Sequence, residues 1–384
     1  MFAARTAWSL TPNRFSAVLE EARRSGRELF DLTESNPTRV GLGYPPGTLE
    51  SLSDPGGLQY RPEALGLKEA RQAIAGYYLD LGSEVAPGSV VLTSGTSEAY
   101  SFLFRLLCDP GDEVLVAAPS YPLFDFLADI QDVKLVSYPL LYDHGWQIDL
   151  HTLEQRLGPR SRAVLVVHPN NPTGSYVRPA ERERLNQLCA GHGMALLCDE
   201  VFLDFAVAAK PPFTFSTNQG ALTFTLSGLS KIAALPQMKL GWTVVSGPEG
   251  PRRQALERLE VIADTYLSVS TPVQLAAPGL LRNRAPVQQQ LRERVRGNLA
   301  ELDLQLAAQQ TCRRLEVEAG WYVVLRVPVV HSDEELAITL LQQQGVVVHP
   351  GHFYDFAADG YLVISLIPPP AVFAEGVRRL FTLL

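Results

Sequence analysis

Lysine is scarce in this chain. Across 384 residues five lysines stand against 28 arginines, and two of the five fall within one sixteen-residue stretch, SGLSKIAALPQMKLGW, from Ser227 to Trp242. A guanidinium stays protonated under all ordinary conditions, whereas a buried ammonium can lose its proton, so where the chemistry needs a neutral amine lysine serves and arginine does not. Cysteine is rare as well. Cys108, Cys189, Cys198 and Cys312 lie far apart, with no CxxC pair and no Cys/His cluster of metal-ligand spacing. That argues against a metal site and predicts buried free thiols in a reducing compartment. No run of about 18 apolar residues occurs, so no transmembrane helix is expected. The opening MFAARTAWSLTPNRF has no apolar core of signal-peptide length. Together these absences predict a cytoplasmic protein without a membrane partner. Runs of like charge are missing too. A net charge of −8, spread along the chain, argues against a nucleic-acid or anionic-membrane surface as the main partner.

What is present is the patterning of a globular α/β protein. Hydrophobic residues make up 46% and charged residues 19%, enough apolar material for a large core. Short β-rich apolar runs alternate with helix-length segments: VVLT (90–93), EVLVAAP (113–119), VKLVSYP (133–139), AVLVVHP (163–169), MALLCDE (194–200), LTFTLSG (222–228) and KLGWTVVSGP (239–248). Helices are expected at 98–108, 179–191, 248–267 and 286–310. This alternation predicts a doubly wound, mostly parallel sheet, with ligands outside the carboxyl ends of the strands. After residue 310 the style changes to LEVEAGWYVVLRVP, a helix near 333–344, VVVHPG, YLVISL and a last helix from Pro370. We therefore expect a large domain over 41–284, a smaller α+β C-terminal domain over 285–384, and an N-terminal segment, 1–40, packed against the smaller one.

Four polar clusters follow strand ends. In SGTSEAYSFLF (94–104) a Gly-containing loop leads into a helix, where free N–H groups and the positive helix end suit a phosphate; a plain N-cap reads equally well from the local sequence. HPNNPTG (168–174) is a turn by its own chemistry, and its position after an apolar strand places Asn171 near a ligand. In LLCDEVFLDF (196–205) Asp199 closes a strand expected to be buried on both faces. A carboxylate there needs a partner, either an arginine or a protonated ring nitrogen on a cofactor. Lys231 follows a strand through a Ser/Gly turn into apolar residues, surroundings that lower an amine's pKa and make it nucleophilic.

Taken in order and spacing, these four clusters resemble the class I/II aminotransferases, pyridoxal-phosphate enzymes of fold type I, over nearly the whole chain. The resemblance implies pyridoxal 5′-phosphate as cofactor, held as a Schiff base on Lys231, which also shuttles a proton during the reaction. It implies that Asp199 keeps the pyridine nitrogen protonated, that Asn171 donates to the ring's phenolic oxygen, and that Tyr121 stacks on the ring face. Gly95, Thr96 and Ser97 match the phosphate loop. Tyr60, in LQYRPEALGLKEAR, matches the tyrosine that reaches the phosphate of a neighbouring subunit, so a homodimer is expected. Lys239 stands where most members carry an arginine to the phosphate.

Three departures matter. Phe202 occupies the place of a tyrosine that helps hold the phenolic oxygen. Gly228 stands where some members have a serine to the phosphate, a task left to Ser227 or Ser230. Val363, in YLVISL, replaces the arginine that grips the substrate carboxylate. Arg39 is the favoured substitute, with Arg61, Arg326 and His352 as other candidates; Asn36 lies in the segment that covers the substrate in relatives.

The leading expectation is an aminotransferase moving an amino group from an amino acid to a 2-oxo acid. A pyridoxal-phosphate lyase acting on a C–S bond is the alternative, since one fold hosts both. An effector domain of a transcription regulator is a third reading; it predicts an added basic DNA-binding module, whereas this sequence is acidic.

Overall fold

A computed structural model of the protein describes residues 1–207 and 213–384. Its main sheet has eight strands. In spatial order they are Val90–Thr93, Gly241–Ser246, Thr223–Gly228, Ala195–Asp199, Ser161–Val167, Glu113–Ala118, Lys134–Tyr142 and Trp146–Ile148. The pairs from Thr223–Gly228 through Lys134–Tyr142 are parallel, and the outer pairs are antiparallel. The central strands are near-continuous runs of Val, Leu and Ala because both faces are covered. In Ala195–Asp199 every residue is buried. Successive side chains go to opposite faces: Ala195 and Leu197 join a core with Phe102, Leu103 and Phe224, whereas Leu196 and Cys198 join another with Leu185, Leu188 and Phe215. Helices Thr96–Leu107, Pro179–His192 and Glu249–Tyr266 supply the covering layers. The parallel strands all point one way, so Ala118, Val167, Asp199 and Gly228 end at one edge of the sheet.

The second body is an antiparallel sheet ordered Arg313–Arg314, Tyr322–Arg326, Tyr361–Ser365 and His349–Pro350. It packs with helices Arg284–Ala307 and Pro370–Leu383. The N-terminal segment enters the same core. Phe30–Asp31 pairs in parallel with Val346–Val347, and Phe15, Phe30 and Leu32 are buried with Leu340, Phe373 and Leu380. Helix and segment approach closely at Gly376, where a β-carbon would stand 2.8 Å from Leu32 Cδ2. The first residues lean on the large sheet's helices instead: the Trp8 indole N–H donates to Asp129 at 2.8 Å, and Arg5 pairs with Asp132.

Helices Arg14–Arg24, Lys68–Asp80 and Thr271–Arg282 and the short strand Trp146–Ile148 were not expected from the strand–helix alternation. The helix expected over 333–344 is α-helical only to Thr339 and continues as a π-turn, Leu340–Gln344. Cys108 is only partly buried, unlike the other three cysteines, and all four are free thiols. No helix among the described residues is long and apolar enough to cross a membrane.

Candidate active site

Asp199, Lys231, Asn171, Tyr121, Thr96, Ser97 and Ser230 line one cavity at the carboxyl edge of the large sheet. Each arrives there by a local rule. Asp199 is the last residue of its strand, and Asn171 follows the neighbouring strand in a buried turn. Lys231 lies in the single helical turn Leu229–Ile232 directly after Thr223–Gly228. Thr96 and Ser97 open helix Thr96–Leu107, whose first N–H groups have no partner within the helix.

The backbone around this edge is tightly layered. A β-carbon on Gly241 would stand 2.8 Å from Gly95 Cα, and one on Gly228 would stand 3.0 Å from the Leu240 carbonyl oxygen. A side chain at Gly228 would therefore be tight, requiring the Leu240 backbone to shift by a few tenths of an ångström.

The electrostatics centre on two residues. Burial pushes the Asp199 carboxyl above the usual carboxylate range, while the Tyr100 hydroxyl, the Val201 N–H and the Lys231 side chain act in the opposite direction. Tyr100 donates to Asp199 Oδ2 at 2.8 Å and Val201 N–H to Oδ1 at 3.1 Å. Burial drives the Lys231 amine down to about 8, and the Asp199 charge limits the fall. Its Nζ lies 5.1 Å from the Trp321 ring centroid and 5.6 Å from that of Phe202. Phe202 packs edge-on against Trp321 at 5.2 Å, so this wall of the cavity is apolar.

Several sequence candidates lie elsewhere. Asn36 does not line the cavity, because its side-chain oxygen accepts from the N–H and hydroxyl of Thr38; its neighbour Ser35 lines the cavity instead. Arg39 is exposed and also absent from the lining. Arg61 is engaged by Glu63 and Glu69 at 3.3 and 3.2 Å. Arg326 stacks over the Tyr361 ring at 4.3 Å, and His352 is exposed beside Phe353. Val363 is fully buried in the small sheet, opposite Val324. Lys239 is exposed, with φ 52°, at the end of the turn Pro236–Met238, outside the lining. Tyr60 is 72% exposed on the isolated chain. Ser227 is buried behind the lining.

The structure adds Tyr100, Ser35 and Tyr322 to the lining. Tyr100 had a readable signal: it stands four residues after Thr96, on the same helix face. Replacing Tyr100 by Phe removes a hydrogen bond to a buried charge, worth about 1.5–3 kcal/mol. The Asp199 pKa then rises, so the acidic limb of the kcat/KM–pH profile should move up by about one unit or more. An unshifted limb would contradict this coupling.

The residues present fit pyridoxal phosphate. The Asn171 side-chain amide and the Ser230 hydroxyl both line the cavity. Thr96 and Ser97 present a helix start for a phosphate. Asp199 is a buried carboxylate, and Lys231 is a partly buried amine whose pKa is lowered to about 8. Fold and site thus define an α/β enzyme of the pyridoxal-phosphate-dependent class.

The family model described as aminotransferase class I and II matches residues 47–380, and the chain belongs to that family. It is a pyridoxal-phosphate-dependent aminotransferase. It is similar to glutamate-pyruvate aminotransferase AlaA of Haemophilus influenzae, 25% identical over 94% of this chain and 93% of that one. An alanine aminotransferase of Mycobacterium tuberculosis is 26% identical over 92% and 85%. Among solved structures, alanine aminotransferase from Pyrococcus furiosus shares the fold with a TM-score of 0.90 at 22% identity, over 100% of this chain and 99% of that one.

Proposed function

We propose that Lys231 and Asp199 carry the transfer of an amino group from an amino acid to a 2-oxo acid. The observation that supports this most directly is the pairing, in one cavity, of an amine whose pKa is lowered to about 8 with a buried carboxylate. Pyridoxal phosphate, when bound, supplies an electrophilic carbonyl and a ring that accepts the electron pair released at the substrate Cα. Lys231 Nζ would hold it covalently, and as a free amine the same atom would take the proton from the substrate Cα and return it to the former carbonyl carbon, two bonds away across the nitrogen. Asp199 would hold a proton on the ring nitrogen, a task for which it must be ionised; the Tyr100 hydroxyl and Val201 N–H favour that state. Thr96, Ser97 and Ser230 would bind the phosphate, with Gly95 giving the close approach of the loop. Asn171 would meet the phenolic oxygen, and Tyr121 would cover the ring.

Lys239 has a lesser part. It is exposed, outside the cavity, and a charge near the phosphate is all that is asked of it. Lys239→Arg should change the cofactor dissociation constant by no more than about twofold, as for other surface substitutions; equilibrium dialysis checks this. Tyr60, largely exposed here, fits a contact with a second copy in a cytoplasmic homodimer.

The names of the relatives nominate L-alanine and L-glutamate as first donors. Mixing the holoenzyme with each, without acceptor, should convert the cofactor absorbance to that of its amino form, and pyruvate or 2-oxoglutarate should reverse it. With an S-alkyl-L-cysteine in place of these donors, release of a thiol, ammonia and pyruvate without any acceptor would show C–S lyase chemistry instead.

A further inference from the structure

Among the described residues Lys231 is the only cation that lines the cavity. The arginines and the histidine considered for a substrate carboxylate are exposed or engaged elsewhere, and Val363 is sealed in the small sheet. An amino acid nevertheless brings a carboxylate into this space, and a desolvated carboxylate without donors is strongly disfavoured.

The polar lining divides in two. Thr96, Ser97, Ser230, Asn171, Asp199 and Lys231 come from the edge of the large sheet and are accounted for by the cofactor, with Tyr100 committed to Asp199 and Tyr121 to the ring. Two hydroxyls remain, Ser35 and Tyr322. They come from the N-terminal segment and from the strand Tyr322–Arg326 of the small sheet. Tyr322 is 9% exposed, and Phe202 packs against its ring at 6.2 Å. Burial pushes its phenol up, and the adjacent Ser35 hydroxyl counters that. The Ser35 hydroxyl hydrogen-bonds the Tyr322 oxygen; a carboxylate placed beside them would accept from the Tyr322 O–H and, once the small Ser35 hydroxyl rotates, from Ser35 as well, and O–H···O⁻ bonds are of the strong, charge-assisted kind.

We propose that Ser35 and Tyr322 form the carboxylate-binding pair for the amino-acid substrate, taking the place of a guanidinium. The proposal rests on the aminotransferase reading above and specifies how that site recognises its substrate class.

The test compares 2-methylalanine, which has no hydrogen at Cα and cannot react onward, with isopropylamine, the same skeleton without the carboxylate. Dissociation constants are measured by calorimetry on the holoenzyme, for the native protein and for Ser35→Ala, Tyr322→Phe and the double variant. The native protein should prefer the amino acid by about a hundredfold, the product of two such hydrogen bonds. Each single variant should weaken 2-methylalanine about tenfold, the loss expected for one hydrogen bond to a charged group, and leave isopropylamine unchanged. The double variant should bind the two equally. Cofactor dissociation, followed by absorbance, should not move in any of them. Retention of the native preference in the double variant overturns the proposal. A uniform loss for both ligands also overturns it, since that marks a merely structural role. If the native holoenzyme shows no absorbance change with any amino acid, the aminotransferase reading itself falls, an outcome distinct from the failure of this pair.

Discussion

Lys231→Ala should retain less than about a thousandth of native turnover, the scale set by loss of a positioned proton-transfer group. Lys231→Arg should be equally inactive, because the guanidinium keeps its charge through the whole accessible pH range. Charge is therefore not what the position requires. The requirement is an amine that can be neutral, and burial beside Phe202 and Trp321 brings its pKa to about 8. This placement also costs stability. In the cofactor-free protein, below pH about 8, both folded and unfolded chains carry the proton and the penalty of burying an ammonium is fully present. Between about 8 and the ordinary lysine value of 10.5 the unfolded chain binds more protons than the folded one, so stability rises with pH across that window. Cofactor-free Lys231→Met should be more stable than the native chain at pH 7, and its unfolding midpoint should lose this pH dependence. Urea denaturation at pH 7 and pH 10 measures both. Native-like turnover in Lys231→Arg would contradict the assignment.

Asp199→Ala should keep the cofactor bound and lower kcat by about 10² to 10³, the usual loss when one preorganised electrostatic partner is removed from a water-poor site. Binding should survive because the phosphate contacts and Lys231 belong to other strands and loops. The variant also strands the buried Tyr100 hydroxyl, whose acceptor among the described residues is Asp199, so a fall in thermal stability should accompany the loss. Asp199→Asn keeps the shape and an acceptor for Tyr100 but not the charge. It should be nearly as slow as the alanine variant and clearly more stable. Near-normal kcat in either variant would remove the electrostatic role from Asp199.

Much of the cofactor side of the site was legible in the sequence because strand ends announce themselves. An apolar run closing in Asp199, or in Ser227–Gly228 before Lys231, specifies both an element and the direction its last residue faces. The substrate side was not legible in the same way. Ser35 and Tyr322 reach the cavity from the N-terminal segment and the small sheet, far apart in sequence, and neither sits in a pattern that signals a ligand. Asn36 was the more conspicuous residue, yet its side chain is spent on Thr38. Arg39 was favoured on its place in the motif order and is exposed. Phe202 read as a lost hydroxyl; in the fold it is a packed wall with Trp321 that holds the lysine in apolar surroundings. Helices Arg14–Arg24 and Thr271–Arg282 escaped because their packing partners come from distant parts of the chain.

Borohydride reduction tests most directly whether Lys231, and not the nearby Lys239, is the amine that holds the cofactor. Reduction of the holoenzyme fixes the cofactor to its lysine, and peptide mass mapping then locates it. One modified peptide is expected, carrying the added mass on Lys231. Modification of Lys239, or of any other lysine in place of Lys231, would contradict it.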